Sequence, residues 1–87
     1  MIEFTNHAKR KIKQRNLKEA WILETLKSPE FVLPSYKNRE IAYKKIGKLY
    51  LAVIFIKEGQ NILILTAHWE KSFKPERSKS YENILRS

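Results

Sequence analysis

The two histidines are the side chains in this sequence best suited to proton transfer, because an imidazole titrates close to neutral pH and can serve as base or acid. His68 stands at the end of an apolar segment and beside a predicted loop, where functional groups commonly lie. His7 falls in the first turn of a predicted helix, where free backbone amides can also hold a phosphate. Each also suits a structural role, with His68 hydrogen-bonded inside a sheet and His7 hydrogen-bonded to the strands. Both are therefore candidate catalytic residues with an open alternative.

Three polar side chains alternate along one predicted strand and would share a face of it. Arg39 offers a guanidinium for bidentate phosphate binding, Tyr43 a phenol and Lys45 an ammonium. Ile41 falls on the same face, so the alternative is a core tyrosine with the two cations as its solvated rim. The strand is either part of a catalytic and phosphate-binding surface or the half-buried face of a sheet.

The balance of charge favours a polyanion or an acidic protein as partner. Eighteen Lys and Arg residues stand against nine acids, every one of them Glu, which gives a formal net charge of +9. The excess falls in residues 1–16, 36–48 and 70–87, whereas residues 17–35 and 49–69 are close to neutral. This pattern predicts a basic surface built from separate segments around a neutral core.

Candidate nucleic-acid contacts lie mainly in the basic segments. Trp69, close to Lys71 and Lys74, is placed to stack a base beside basic side chains, although a tryptophan at a strand end more often packs within the protein. The complete set of predicted contacts is Arg10, Arg15, Lys45, Lys48, Trp69, Lys71, Lys74 and Arg77.

Several classes of site are excluded or disfavoured by the residues that the sequence lacks. It has no cysteine, so a disulfide framework, a thiolate metal site and a cysteine nucleophile are impossible. It has no Asp and its Glu residues are scattered, which disfavours a two-metal nuclease, and we expect neither a metal nor another cofactor. The longest apolar run, residues 49–56, is far shorter than the roughly 20 residues of a membrane helix. We therefore expect a cytoplasmic protein without a membrane partner.

The N-terminal part of the chain predicts a short strand followed by two helices. Residues 2–4 are typical of a strand, and Thr5 then caps a helix that runs to about Arg15. Asn16 is predicted to end that helix and to cap a second one over residues 17–27, which the following Ser-Pro pair stops.

From residue 31 onward the pattern is typical of strands. The four predicted strands cover residues 31–34, 39–46, 48–57 and 61–69. Gly47 and Gly59 mark the turns of two consecutive hairpins, and segment 70–87 is predicted to be a loop with a short helix or a frayed tail. We therefore predict one α+β domain over residues 1–87, with two N-terminal helices packed on a mainly antiparallel sheet of four to five strands.

The order of these elements, with an opening motif, resembles the RelE/ParE toxin superfamily. Thr5, His7, Ala8 and Arg10 match, in a slightly compressed form, the Thr-x-His-Ala-x-x-Arg signature that opens small toxin-like families of this superfamily. The resemblance implies a RelE/ParE-like fold.

A second similarity lies at the end of the last predicted strand. Residues 65–68 resemble the Ile-Ser-Ala-Arg strand end of BrnT-type toxins, with His68 where those chains have Arg. The later Glu76, Arg77 and Tyr81 are similar to a Glu-Arg pair and a Tyr that follow this strand in those toxins.

The resemblance implies the toxin component of a toxin–antitoxin system, acting as a metal-independent mRNA endoribonuclease. In that reaction the RNA 2′-hydroxyl attacks the neighbouring phosphate to leave a cyclic phosphate and a 5′-hydroxyl, which requires a base, an acid and cations. The residues that could supply these groups here are His68, Arg39, Tyr43 and His7. The implied partners are an acidic antitoxin protein and RNA, including ribosome-bound mRNA.

Three other functions stay open beside this one, since the fold hosts unrelated activities. The chain could be a catalytically silent module that binds nucleic acid or protein, or a ParE-like poison of a topoisomerase. It could also be a general nucleic-acid-binding protein without a toxin role, whose affinity would fall steeply with salt.

Overall fold

The computed structural model describes residues 1–71, and this part of the chain contains two helices and five strands. In chain order the elements are β1 (Ile2–Phe4), α1 (Asn6–Gln14), α2 (Glu19–Lys27), β2 (Phe31–Pro34), β3 (Arg39–Ile46), β4 (Leu49–Glu58) and β5 (Asn61–Glu70). The predicted α+β class is confirmed. The predicted contacts Lys74 and Arg77, and the predicted tail beyond Lys71, lie outside the described residues.

The five strands form one mixed sheet in the order β1-β5-β4-β3-β2. The pairs β2–β3, β3–β4 and β4–β5 are antiparallel, whereas β1 runs parallel to β5. The two predicted hairpins are confirmed, since Gly47 and Gly59 take φ values of +67° and +61° in their turns. A third hairpin joins β2 to β3, where Lys37 and Asn38 both have positive φ and the Arg39 amide donates to the Tyr36 carbonyl, as in a type I′ turn.

Helix α1 is capped at both ends, by Thr5 at its start and by Asn16 after its last turn. The Thr5 hydroxyl accepts a hydrogen bond from the Ala8 amide at 3.0 Å, which confirms the predicted N-cap. At the other end Asn16 takes a left-handed φ of 53°, and the Leu17 amide reaches back to the Ile12 carbonyl at 2.9 Å. Leu17 and Ile12 are both buried, so the termination has the hydrophobic contact of a Schellman motif.

The predicted start of α2 was wrong. Helix α2 begins at Glu19 with Lys18 as N-cap, and no side chain caps it, whereas the sequence suggested Asn16 as the cap. The physical reason is that Asn16 already ends α1 in a left-handed conformation, while an N-cap residue takes extended dihedral angles. The predicted end is confirmed, since α2 stops at Lys27, directly before the Ser-Pro pair.

The hydrophobic core lies between the helices and one face of the sheet. Its buried members are Ala8, Ile12, Leu17, Ile22, Leu51, Val53, Ile64 and Ala67. Helix α1 packs mainly against β5, and α2 against β3 and β4. We call the other side of the sheet the distal face, because side chains alternate along each strand and these positions point away from the helices. By register with the core positions, the distal face carries Arg39, Ile41, Tyr43, Lys45, Tyr50, Ala52, Ile54, Ile56, Thr66, His68 and Glu70.

None of the helices in residues 1–71 is both long enough and apolar enough to cross a membrane.

Candidate nucleic-acid interface

Tyr43 and His68 lie in one row across the distal face. Tyr43 is opposite Ala52 on β4, and Ala52 is opposite His68 on β5. With strands about 4.8 Å apart, the backbones of Tyr43 and His68 are separated by about 10 Å. The residue between them, Ala52, carries only a methyl group and is fully buried. Tyr43 itself is 7% exposed, which makes its phenol less accessible than the imidazole, whose side chain is 34% exposed.

The His68 imidazole is held by a carboxylate from its own strand. Its Nε2 atom lies 3.0 Å from Oε1 of Glu70, two residues further along and on the same face. An ionised carboxylate can only accept a hydrogen bond, so Nε2 carries a proton in this contact. In the neutral imidazole, Nδ1 is then the atom with a lone pair available to accept a proton. The pairing therefore gives the His68 imidazole a defined orientation on the distal face.

Glu70 is a candidate site residue that was not predicted from the sequence. The signal was present, because a His-x-Glu pair on a strand places both side chains on the same face. Glu70 also lies in the neighbouring cross-strand row, which runs from Lys45 through Tyr50 to Glu70. An exposed ammonium therefore belongs to the row next to His68, as the alternation along β3 predicts.

His7 and Arg39 meet in a cleft at the junction of α1 and the distal face. The cleft has a volume of about 360 Å³. Its described lining residues are Thr5, His7, Arg39, Ile54, Leu65 and Thr66. The first two come from the start of α1, and the others from three strands. His7 and Arg39 are 32 positions apart in the sequence, and the fold brings these two predicted residues together.

The four predicted catalytic residues therefore fall into two groups. Arg39 is four residues from Tyr43 along β3, which corresponds to about 13 Å of strand. The cleft holds His7 and Arg39, and the row across the sheet holds Tyr43 and His68. Thr66 connects the groups, because it lines the cleft and precedes His68 by two residues on the same face. Thr66 was not predicted as a site residue, because its position depends on strand register.

Arg15 is engaged with the edge of the sheet. Strand β1 pairs with only the first part of β5, and α1 runs beside the remainder. The Arg15 Nη1 atom donates to the Ala67 carbonyl at 2.6 Å and lies 3.5 Å from the Thr66 hydroxyl. Its guanidinium thereby satisfies a carbonyl on the strand edge and adds positive charge beside the cleft.

The other predicted cations are spread around the molecule. Arg10 is exposed on α1, Lys48 is exposed in the β3–β4 turn, and Lys71 is exposed directly after β5. They remain candidate contacts for a polyanion.

Trp69 lies on the opposite side of the sheet from His68. It is paired with Leu51, a core residue, and packs on the side of the helices. Its ring meets that of Trp21 edge to face, with centroids 5.5 Å apart and an interplanar angle of 62°. The Lys18 ammonium lies 5.2 Å from the Trp21 ring centroid. Trp69 therefore takes the packed position that formed the alternative to base stacking.

Candidate metal ligands do not cluster in the described part of the chain. Among residues 1–71, no three His, Cys, Asp or Glu side chains come together in a group that could hold a metal ion.

Residues 4–74 match the model of a protein family described as Domain of unknown function (DUF4258). The chain belongs to this family. The DUF4258 match begins at the last residue of β1 and includes every later element of residues 1–71, so the cleft and the His68–Glu70 pair lie inside the region that the family shares. No curated protein and no solved structure matches the chain.

Proposed function

We propose that this DUF4258 chain is a RelE/ParE-type toxin that cleaves mRNA on the distal face of its sheet, without a metal. The order of elements, the two helices on one side of a five-stranded sheet and the net charge of +9 all support this proposal. The observation that carries it is the His68–Glu70 pair, on the same face as Arg39 and Lys45.

The pair suits the proton transfer that opens the reaction. Nδ1 of neutral His68 takes the proton of the RNA 2′-hydroxyl, while Glu70 holds Nε2. The 2′-oxygen then bonds to the adjacent phosphorus, and the bond from phosphorus to the 5′-oxygen breaks. The products are a 2′,3′-cyclic phosphate and a 5′-hydroxyl, the latter completed by a proton that the ammonium of Lys45 can donate.

Charge also builds on the phosphate as the reaction proceeds, and cations must offset it. Lys45 is exposed in the row next to His68, and Arg39 is exposed further along the same strand. A single-stranded RNA that crosses the distal face would bring different phosphates to these two side chains, which are separated by about 20 Å of strand. His7 lies in the cleft at the far end of that path.

The natural partner in this proposal is an acidic antitoxin in the cytoplasm. Helix α1 presents a run of basic side chains to the solvent, with no acidic residue in its first turn. An acidic peptide that folds onto this surface would neutralise the cations that RNA requires.

Cleavage of a labelled RNA by the purified 87-residue chain tests the proposal. We expect products with a cyclic phosphate and a 5′-hydroxyl in the presence of a chelator, and we expect His68→Ala to abolish them with the fold intact. Glu24→Gln, on an exposed position of α2, is the matched control and should cut normally. Products with a 5′-phosphate, or cleavage that survives His68→Ala, would contradict the proposal.

The burial of Tyr43 favours a second candidate, a non-catalytic module that binds nucleic acid or protein. A tyrosine that is 7% exposed as a whole residue has little access to a scissile phosphate. Filter binding of the same labelled RNA, measured beside its cleavage, separates the candidates. A nucleic-acid-binding module retains the RNA on the filter and leaves it intact.

A further inference from the structure

The cleft between α1 and the distal face combines features of a nucleotide site. It has an apolar part from Ile54 and Leu65, which are half-buried, and a polar part from Arg39, His7 and Thr66. Its volume of about 360 Å³ falls in the range of small-molecule sites, which are mostly apolar with a few placed polar groups. This combination suits a ligand with one flat apolar portion and one anionic portion.

The start of α1 adds backbone donors to the cleft. The Ala8 amide is satisfied by the Thr5 hydroxyl and the Lys9 amide by the Thr5 carbonyl. Helix geometry leaves the amides of Asn6 and His7 without a carbonyl partner inside the helix. His7 lines the cleft, so this end of α1 and its dipole favour an anion there.

Two guanidinium groups strengthen the anionic preference. Arg39 lines the cleft and is exposed, which leaves its fork of donors accessible. Arg15 lies 3.5 Å from the Thr66 hydroxyl on the cleft wall. Among the cleft-lining residues of the described chain, none is acidic. A phosphate at this place would meet positive charge from Arg39 on β3, from the N-terminal end of α1 and from Arg15, the C-cap of that helix.

We propose that the cleft binds one nucleoside monophosphate unit of RNA, with the phosphate held by Arg39, Thr66 and the His7 amide and the base against Ile54 and Leu65. The choice of RNA rests on the proposed function. The cleft would act as a binding subsite, separate from the His68–Glu70 pair and connected to it through Thr66. It would fix the position of the strand so that a neighbouring phosphate comes to His68.

Titration of the ¹⁵N-labelled 87-residue chain with adenosine monophosphate, followed by NMR, tests the assignment without any need for cleavage. We expect saturable shifts at the amides of Asn6, His7, Arg39 and Thr66. Adenosine alone and inorganic phosphate alone should each bind more weakly, because each fills only half of the cleft. Arg39→Gln should weaken nucleotide binding by about tenfold or more, which is typical for a charge-assisted contact.

Thr66→Val keeps the shape of the side chain and removes its hydroxyl, so it should also weaken binding. Lys13→Gln removes an exposed cation of α1 that does not line the cleft, and it should leave binding unchanged. Equal loss in Lys13→Gln and Arg39→Gln would overturn the assignment, since it would indicate attraction to net charge alone. Inorganic phosphate that binds as tightly as the nucleotide would overturn it as well.

The two proposals fail in different ways. If the chain cuts RNA but adenosine monophosphate leaves the cleft amides unmoved, the cleft assignment is wrong and the ribonuclease stands. If the nucleotide binds in the cleft but RNA stays intact, the ribonuclease is wrong and the cleft stands as a nucleotide-binding site.

Discussion

Glu70 decides what the His68 side chain can do. Without a partner, an imidazole on a sheet rotates and exchanges its two tautomers. The contact of 3.0 Å between Nε2 and Oε1 selects one ring orientation and one tautomer while the carboxylate is ionised. Both side chains are about one-third exposed, so a substrate can still reach the ring. Glu70 is therefore a positioning residue in the proposed reaction.

Glu70→Gln should reduce the rate of RNA cleavage and leave the fold unchanged. The amide can present either its oxygen or its NH₂ group to Nε2, so the tautomer is no longer fixed. We expect kcat to fall by roughly 10- to 100-fold, which corresponds to about 1.4–2.7 kcal/mol of transition-state stabilisation. The Michaelis constant should stay near that of the parent chain, because Glu70 does not bind substrate in this scheme.

Steady-state cleavage kinetics and thermal denaturation check this prediction together. A parallel rise in the Michaelis constant would show that Glu70 contacts RNA. A large loss of melting temperature would show that it is needed for folding. Glu24→Gln is the control for removal of one negative charge.

Local sequence signals predict the boundaries of most helices and strands in this chain. The strand boundaries were predicted to within one residue, because glycines with positive φ and long apolar runs mark them. The parallel pairing of β1 with β5 was not predicted, because it joins residues 2–4 to 62–64 and has no local signature. The cleft depends on that pairing, since it brings the start of α1 beside β5.

The site shows the same division between local and distant information. His7, Arg39 and His68 could be named from residue type and spacing, because strand alternation and a helix start are local patterns. The division of these residues into a cleft and a row, and the part that Thr66 plays between them, depend on register across three strands. Residue chemistry was predictable from the sequence, whereas proximity required the fold.

Asn16 ends helix α1 in a left-handed conformation, and this conformation predicts how substitutions at Asn16 change stability. Asn16→Ala should destabilise the chain by about 1 kcal/mol, because an alanine with φ near 53° carries a steric penalty. This loss lowers the melting temperature by roughly 4–8 °C in a domain of this size. Asn16→Gly should be neutral or slightly stabilising, since glycine takes this conformation without strain. Equal losses in the two variants, measured by thermal denaturation, would show that the Asn side chain itself matters.

The Glu30 side chain stabilises the end of β3 through a hydrogen bond to its backbone. Its Oε2 atom accepts a hydrogen bond from the Lys45 amide at 2.7 Å, beyond the point where β2 ends its pairing with β3. Glu30→Ala should cost about 1–2 kcal/mol and speed the exchange of the Lys45 amide hydrogen. Glu30→Gln keeps an acceptor and should cost less.

Denaturant titration measures the loss of stability, and hydrogen exchange measures the exchange rate of the Lys45 amide. Glu24→Ala, at an exposed position of α2, is the control and should change neither of them. An exchange rate at Lys45 that stays the same in Glu30→Ala would contradict the contact.

The net charge of the whole chain favours affinity for polyanions, but it does not provide selectivity among them. A net charge of +9 attracts any polyanion, and its distribution over α1, β3 and the β3–β4 turn places positive charge on several sides of a neutral sheet. Such a field raises the rate of encounter without choosing a sequence. In the proposed function, selectivity comes from the cleft and from the row that contains His68, where geometry is fixed by the strands.

Binding of a single-stranded RNA by His68→Ala, which retains the cations and removes the proposed base, should depend strongly on salt. If about four phosphates meet Arg10, Arg39, Lys45 and Lys48, the logarithm of affinity should fall with the logarithm of salt with a slope of about −3, or roughly 50-fold between 50 and 200 mM. Further substitution of Arg39 and Lys45 by Gln should bring the slope to about −1.5, whereas Lys27→Gln should leave it unchanged. Fluorescence anisotropy at four salt concentrations measures these slopes. A slope that the double substitution leaves at about −3 would mean that RNA lies along α1 and does not cross the distal face.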